Sequence, residues 1–197
     1  MKSSFSLIVL TGKTASGKDT VMAELLLRLP DFKRIITTTS RAPRYNEKDG
    51  VDYHFIPESD FRQKIGTGDF IEHVKYGGNL YGTEKAQITE NLTQNFIWRI
   101  DPSRAGQMRK LIREAFDPDT AEDLLKRLLV IYLTVNDDVI LGRLQRRGLT
   151  KEEISKRMQE DAKFWQEFKT SYDHVVENIP GKLDETVHKV ISLIQKH

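Results

Sequence analysis

A glycine-rich segment near the amino terminus has the residue types of a phosphate-binding loop. Two glycines five positions apart let the backbone curl so that successive N–H groups point inward, and a helix directly behind the loop adds the positive end of its dipole. A lysine beside the second glycine can reach terminal phosphates, so the polyanion that this loop fits best is ATP. The predicted ATP-binding residues are Gly12, Lys13, Thr14, Ala15, Ser16, Gly17, Lys18, Asp19 and Thr20.

The end of this loop departs from the usual pattern. Asp19 stands where a serine or threonine hydroxyl normally helps to hold Mg²⁺, and Thr20 follows one place late. A simpler interpretation is a strand-to-helix turn that needs glycine for positive φ angles. The apolar run of residues 5–10 before the loop, and the helical spacing of Val21, Leu25 and Leu29 behind it, favour the phosphate loop.

The elements that would position this loop alternate between short apolar runs and helical periodicity. Residues 7–10, 35–36, 96–100 and 128–133 are predicted strands separated by helices. This order is typical of an α/β fold with a mainly parallel sheet. Farther along, Thr150 and Glu153 have the spacing of a capping box, which predicts the start of a helix.

Composition narrows the class of protein. The chain has 197 residues, with 31 Lys and Arg against 29 Asp and Glu, so its net charge of +2 gives no global field for nucleic acid or an acidic membrane. The lack of cysteine excludes disulfides and thiolate-bound zinc and fits a reducing cytoplasm. The amino-terminal apolar run is too short for a signal peptide, and no run approaches the roughly twenty residues of a membrane span. We therefore expect one cytoplasmic domain, as a monomer or homodimer, with neither a nucleic-acid nor a membrane partner.

Four further motifs follow the phosphate loop at characteristic distances. They are T-T-T-S-R-A-P-R at residues 37–44, G-V-D-Y-H-F at 50–55, F-I-E at 70–72 and G-N-L-Y-G-T at 78–83. With the loop, they make nearly the whole chain strongly resemble guanylate kinase. The resemblance implies a P-loop NTPase fold, with a mainly parallel central sheet flanked by helices. It divides residues 1–197 into a core (1–34, 95–135 and 162–197), an acceptor-binding insertion (35–94) and a lid (136–161). We expect the short strands of the insertion to join the main sheet.

The resemblance implies an acceptor site for GMP, and for dGMP, in this insertion. Arg41, Arg44, Tyr53 and Tyr81 would hold the acceptor phosphate, because an arginine fork donates two hydrogen bonds to phosphate oxygens and a tyrosine adds a neutral donor. Taken singly, these residues are as compatible with solvated arginines and packed tyrosines. The combined motif favours the phosphate site.

Glu72 matches the family position that recognises the guanine edge, with Thr37 and Thr83 as hydroxyl partners. A carboxylate can accept hydrogen bonds from both N1–H and the exocyclic amine of guanine, whereas adenine presents an acceptor at N1. The alternative is a strand glutamate paired with Lys75 or Arg62, with Thr83 acting only as the N-cap of a helix that begins at residue 84.

Phosphoryl transfer requires charge neutralisation more than covalent help. The resemblance assigns the catalytic roles to Lys18, Arg41, Asp101, Arg147 and Arg157, with Arg143 as a weaker candidate. Arg147 and Arg157 would close from the lid over ATP; alternatively, Arg157 only pairs with Glu153 on an exposed helix. Mg²⁺ is the expected cofactor, held through the ATP phosphates, with Asp101 as a candidate ligand through water. Asp101 is also expected to meet GMP.

Some residues depart from the family pattern and keep two alternatives open. Arg99 reverses the charge of an expected aspartate, Phe164 replaces an expected acid, and the loop carries Lys13 and Ala15. The Gly-Lys-Asp loop ending and Ser103-Arg104-Ala105 look like ribose bisphosphate phosphokinases, but a sugar phosphate has no guanine edge for Glu72. A non-catalytic guanylate-kinase-like binding module is the other alternative, and an intact Gly17-Lys18 argues against it.

Overall fold

The computed structural model describes residues 6–76, 78–90 and 93–197; Phe5, the first residue of the amino-terminal apolar run, lies outside them. In chain order, the elements are β1 (Leu7–Gly12), α1 (Lys18–Arg28), β2 (Phe32–Arg34), β3 (Thr38–Thr39), β4 (His54–Phe55), α2 (Glu58–Gly66), β5 (Phe70–Tyr76), β6 (Asn79–Glu84), α3 (Ala86–Thr89), β7 (Asn95–Arg99), α4 (Pro102–Ala115), α5 (Pro118–Lys126), β8 (Leu128–Thr134), α6 (Asp137–Arg146), α7 (Lys151–Phe168), β9 (His174–Glu177) and α8 (Leu183–Lys196).

The central sheet has five strands in the order β2-β7-β1-β8-β9, and each neighbouring pair is parallel. β1 lies in the middle, with Val9 opposite Trp98 on one side and Val130 on the other. Strands covered by helices on both faces read as unbroken apolar runs, as β1 and β8 do. The predicted α/β fold with a mainly parallel sheet is confirmed.

Alternate residues of β1 enter two different cores. Leu7 and Val9 pack in a cluster with Met108 of α4 and Phe168 of α7. Ile8 and Leu10 pack on the other face, in a cluster with residues of α1 and α8. The helices therefore cover both faces of the sheet, and the carboxyl ends of its strands remain at an edge where loops can gather, as is usual for ligand sites in open α/β sheets.

A second sheet lies within the predicted insertion, residues 35–94. Its strand order is β4-β3-β6-β5, with β3 parallel to β4 and antiparallel to β6. It has its own apolar cluster, formed by Phe61, Phe70 and Leu80. The expectation that these strands join the main sheet is wrong, because in the described part of the chain the four strands hydrogen-bond to one another and form a separate sheet.

The predicted strand at residues 35–36 is also wrong. The strand is β2, Phe32–Arg34. The backbone of Ile36 pairs with a side chain instead: its N–H donates to Gln87 Oε1, and its carbonyl accepts from Gln87 Nε2. The start of α7 is confirmed as a complete capping box, in which Thr150 and Glu153 satisfy each other's backbone N–H groups. Within the described ranges, no helix combines the length and apolar character that crossing a bilayer requires.

Candidate active site

The loop that follows β1 is shaped by two glycines with positive φ angles. Gly12 has a φ of 143°, and a Cβ there would lie 2.0 Å from the Leu133 carbonyl oxygen. Gly17 has a φ of 92° at the start of α1, and a Cβ there would lie 2.5 Å from Asn178 Nδ2. These positive φ angles favour glycine, and the Leu133 backbone leaves no room for a Cβ at position 12. The backbone therefore turns tightly from β1 into α1, as the phosphate-loop interpretation predicts.

Three side chains from the carboxyl-terminal part of the chain hold the loop backbone. The Asp161 carboxylate accepts a 2.7 Å hydrogen bond from the Thr14 N–H. Arg143 Nη1 donates to the Ala15 carbonyl at 2.6 Å, and Asn178 Nδ2 donates to the Ser16 carbonyl at 2.8 Å. The loop is thus preorganised by residues that are distant in sequence.

Asp161 is a site residue that the sequence prediction missed. Phe164, at the position where an acid was expected, packs against the core instead. Asp161 is only 9% exposed, and burial raises the pKa of its carboxyl, opposed by the Thr14 N–H and by the charge of Lys18. The sequence does contain a signal for Asp161. Ile154, Asp161 and Phe168 recur every seven residues on the buried face of α7, so a carboxylate stands at an otherwise apolar position.

Lys18 lies across the mouth of the loop. Its Nζ donates to the Gly12 and Lys13 carbonyls at 2.8 and 2.7 Å. Burial, followed by the charge of Arg99, lowers the pKa of Lys18 to about 8, while Asp161 and Asp19 oppose this change. Lys18 is therefore still mostly protonated at neutral pH, as a phosphate-binding lysine must be.

The other predicted loop side chains lie around this lysine. Lys13 Nζ pairs with Asp137 at the start of α6, at 2.7 Å. The Ser16 side chain is buried, whereas Asp19 and Thr20 are exposed in the first turn of α1. Asp19 forms an ion pair with Arg99, which stands at the end of the neighbouring strand β7. Asp19 and Arg99, which both depart from the family pattern, are therefore partners in one ion pair.

In the second sheet, Arg41 is surrounded by the other predicted phosphate-binding residues. Its Nη2 donates to both oxygens of Glu47 at 2.9 Å, and its guanidinium lies 5.5 Å from the Tyr53 ring centre. Tyr53 and Tyr81 meet edge to face at 6.0 Å. Burial alone would lower the pKa of the Arg41 guanidinium. The hydrogen bonds and charges of Glu47 and Tyr81 raise it by more, so the net shift of the pKa is upward.

Glu47 organises this cluster, although no role was predicted for it from the sequence. One of its oxygens also accepts a 2.7 Å hydrogen bond from the Arg44 N–H, and this bond is the main reason why the pKa of Glu47 is lowered. The Arg44 side chain is exposed beside it. The structure thus gathers Arg41, Tyr53 and Tyr81, with Arg44 at the rim.

Glu72 and Thr83 face each other across β5 and β6. The Thr83 hydroxyl donates to Glu72 Oε1 at 2.9 Å, and the Glu72 side chain is buried, with 7% exposure. Burial raises the pKa of Glu72 to about 7, the Thr83 hydroxyl opposes this, and the nearby charge of Asp101 adds to it. The carboxyl group therefore lies in a dry site with one oxygen already fixed.

Two of the alternatives for this pair, the helix cap at Thr83 and the pairing of Glu72 with Arg62, are not borne out. Thr83 belongs to β6 and caps no helix, and Arg62 pairs with Glu58 rather than with Glu72. Thr37 is half-buried, and its carbonyl accepts from the His54 N–H. Among the described contacts, none joins the Thr37 hydroxyl to Glu72, and the role of Thr37 towards GMP stays a prediction.

Asp101 follows β7 and caps α4. Its Oδ1 accepts from the Arg104 N–H at 3.1 Å, and Arg104 Nη2 donates to the His73 carbonyl at 2.9 Å, which ties α4 to β5. Asp101 is exposed, and its charge reaches Glu72. It therefore lies at the carboxyl edge of the central sheet, between the loop and the Glu72 site.

The predicted lid arginines are exposed and do not contact the loop directly. Arg147 ends α6, and its charge contributes to the lowered pKa of Lys18. Arg157 lies on α7 one turn before Asp161. Glu153 caps α7 through the Thr150 N–H at 2.8 Å, and across the ranges that the structure describes no ion pair joins it to Arg157.

A cleft of about 430 Å³ opens beside the loop. Its walls come from the loop, α1, α6 and the turn before α8, and its lining residues include Gly17, Thr20, Arg143, Arg146, Arg147 and Pro180. The size and position suit the nucleoside of a bound triphosphate. The sequence prediction did not include Arg146 or the turn at Pro180, because neither carries a motif.

Comparison with known proteins shows what kind of protein has this site. The sequence model of the guanylate kinase family matches residues 4–197. The chain belongs to the guanylate kinase family. It is 33% identical over 195 residues to a guanylate kinase from Prochlorococcus marinus subsp. pastoris, covering 99% of this chain and all of that protein. It is 35% identical to a guanylate kinase from Ruegeria sp., covering 95% of this chain and 82% of that one.

A solved structure of similar fold comes from the same family. The guanylate kinase from Anaplasma phagocytophilum superimposes with a TM-score of 0.70 and 22% identity, covering 100% of this chain and 87% of that one. At this identity, the likeness shows the fold. The predicted family and the predicted P-loop kinase fold are thus confirmed, and the relatives are enzymes, which favours a kinase over a binding module. The roles of individual residues and the division into core, insertion and lid stay predictions.

The residues around the guanylate kinase loop fit a magnesium ion that is held mainly by a nucleotide. Within the described part of the chain, no three acidic, histidine or cysteine side chains cluster closely enough to form a metal cage. Mg²⁺ usually takes one or two carboxylates and completes its octahedron with phosphates and water. The exposed carboxylate of Asp101, at the same sheet edge as Lys18, supplies oxygen of the required kind.

Proposed function

We propose that this protein transfers the γ-phosphate of ATP to GMP, and to dGMP, giving ADP and the nucleoside diphosphate. The observation that carries the proposal is the buried Glu72 carboxyl group, whose Oε1 is bound to the Thr83 hydroxyl. A buried carboxylate needs hydrogen-bond donors, and the N1–H and exocyclic amine of guanine supply two in one plane. Adenine would present a lone pair at N1 instead, so the site would reject it.

The acceptor phosphate is proposed to bind the cluster around Arg41. Its guanidinium and the hydroxyls of Tyr53 and Tyr81 provide donors, and Arg44 adds a charge at the rim. Because Arg41 is already paired with Glu47, its fork is oriented before the substrate arrives, which reduces the entropy that binding costs.

The donor triphosphate is proposed to bind the loop of residues 12–20. The backbone N–H groups and Lys18 surround the phosphates, and Lys18 would exchange its two carbonyl partners for phosphate oxygens. Mg²⁺ bound to the ATP phosphates, with Asp101 contacting it through water, would neutralise negative charge during transfer. The cleft beside the loop receives the adenosine.

The lid helices α6 and α7 are proposed to bring Arg147 and Arg157 onto the phosphates when both substrates are bound. An arginine that reaches a phosphoryl-transfer centre contributes roughly 10³-fold or more to the rate. Closure would also exclude water and so suppress hydrolysis of ATP. Both arginines are exposed in the structure, so they are available for this movement.

A panel of acceptors tests the proposal. The protein is incubated with ATP and Mg²⁺ and with GMP, dGMP, AMP or ribose 1,5-bisphosphate, and both ADP and the phosphorylated product are measured. We expect GDP and dGDP as products and little product from AMP. Phosphorylation of ribose 1,5-bisphosphate alone would support the other kinase class, and the absence of any product would support a binding module. Cytoplasmic location and the monomeric or homodimeric state stay predictions.

A further inference from the structure

Arg99 and Asp19 form an ion pair at the point where the loop meets strand β7. Arg99 is opposite Leu10 in the pairing of β7 with β1, two residues before the loop begins at Gly12. Its Nε lies 2.5 Å from Asp19 Oδ1, and its Nη2 donates to Oδ2 at 3.4 Å. Asp19 directly follows Lys18 in the first turn of α1. The strand and the loop together place the guanidinium beside the lysine.

This pair is open to solvent and imperfectly aligned. The side chains of Arg99 and Asp19 are 36% and 72% exposed, and exposed ion pairs of this kind add little to stability. The Nε atom itself is buried, and its proton has no well-aligned acceptor in the described part of the chain. Arg99 can therefore exchange Asp19 for a better acceptor at little cost.

The charges around the loop indicate which kind of acceptor would suit Arg99. Arg99 and Arg147 both act on Lys18 as like charges. Of the nearby acids, Asp161 is committed to the Thr14 N–H, and Asp19 is mostly in solvent. A bound polyphosphate would relieve the repulsion between these cations, and its oxygens suit the planar donor fork of arginine.

We propose that Arg99 is a phosphate-binding residue of the transfer site, which contacts the donor triphosphate beside Lys18, and that Asp19 holds it there until the nucleotide binds. The proposal rests on the proposed kinase function. It explains why the charge reversal at position 99 is accompanied by an aspartate at position 19. The rival explanation is that Arg99 only neutralises Asp19, which would otherwise repel the phosphates.

A double-mutant cycle separates these two explanations. The variants are Arg99→Met, Asp19→Asn and the double variant, with Arg99→Lys to restore the charge alone. Arg28→Met is a matched control, because Arg28 forms a similar ion pair with Asp184 at the far end of α1, with 31% and 68% exposure. Binding of ATP and of inorganic tripolyphosphate is measured by calorimetry without an acceptor. Turnover with GMP is measured separately, and thermal melts report folding; Arg99→Gln replaces Arg99→Met if that variant melts early.

If Arg99 contacts phosphate, Arg99→Met weakens ATP and tripolyphosphate binding by about 10- to 100-fold. The loss persists in the Asp19→Asn background, Arg99→Lys recovers part of it, and Arg28→Met binds like the unmodified protein. A loss that disappears in the Asp19→Asn background would overturn the proposal, as would unchanged binding or a loss with ATP alone. If the unmodified protein makes no GDP while the tripolyphosphate loss persists, the proposed kinase function fails, and with it the role of Arg99 in transfer, whereas its contact with phosphate is supported.

Discussion

Replacing Glu72 by glutamine removes the negative charge from the proposed guanine site while keeping the size of the side chain. The carboxylate has one oxygen bound to Thr83 and would accept two hydrogen bonds from guanine. Glutamine keeps one acceptor and turns an amide donor towards a donor of the base. Hydrogen bonds to charged groups are worth about 1.5–3 kcal/mol each, so losing one or both costs about 1.5–6 kcal/mol, or roughly 10- to 10⁴-fold in kcat/KM for GMP.

The assay compares kcat/KM for GMP and AMP by the consumption of ATP, because transfer to AMP yields two ADP and transfer to GMP only one. It should be run above the pKa of Glu72, about 7, so that the carboxyl group of the unmodified protein is ionised. Activity with AMP should stay the same or rise, because a glutamine amide can donate to adenine N1. Glu84→Gln is the control: Glu84 lies in the same sheet and accepts from the Thr38 hydroxyl at 2.8 Å, but its other oxygen binds Lys64. An unchanged ratio of GMP to AMP activity in Glu72→Gln would refute the reasoning.

Three other predictions concern the loop and the buried acids. Lys18→Ala should reduce transfer by more than about 10³-fold while circular dichroism shows an intact fold, since the lysine is proposed to stabilise charge in the transition state; retained turnover would remove the loop from the mechanism. Asp161→Ala should leave the Thr14 N–H without its acceptor and weaken ATP binding by about tenfold, with most of the affinity retained in Asp161→Asn, and equal losses in both variants would contradict this. Because the folded-state pKa of Glu72, about 7, exceeds the ordinary value of 4.5, the ligand-free protein binds a proton there that the unfolded chain releases. Its free energy of unfolding should therefore fall by up to about 3 kcal/mol as pH rises between these values, and Glu72→Gln should lose this part of the slope in urea titrations.

The sequence predicted the central strands well because their signal is local. β1, β7 and β8 are buried by helices on both faces, so they appear as apolar runs, and their predicted ends lie within a few residues of the observed ones. The helix at Thr150 was equally local, since a capping box satisfies its own donors. The second sheet was harder to predict because a two-residue strand such as β3 gains its pairing only from neighbours that are distant in the chain.

The site residues also divide into those with a local sequence signal and those held by contacts between distant parts of the chain. Gly12, Gly17 and Lys18 belong to a motif whose spacing predicts the backbone geometry of the loop, and the structure has that geometry. The support for the loop is different, because Asp161 contacts Thr14 across 147 residues and Arg143 contacts Ala15 across 128. No spacing in the sequence encodes such contacts. The pairing of Arg99 with Asp19 across 80 residues is a further example, in which two departures from the family pattern are explained only together.

The most direct test of the central claim follows the phosphate itself. The purified protein is mixed with ATP, Mg²⁺ and GMP, and ³¹P NMR is recorded as the reaction proceeds. The account predicts that the γ-phosphate signal of ATP and the single signal of GMP decline together, while the α- and β-phosphate signals of ADP and GDP grow in equal amounts. Loss of the γ-phosphate signal to inorganic phosphate with GMP unchanged, or no change in any signal, would contradict the account.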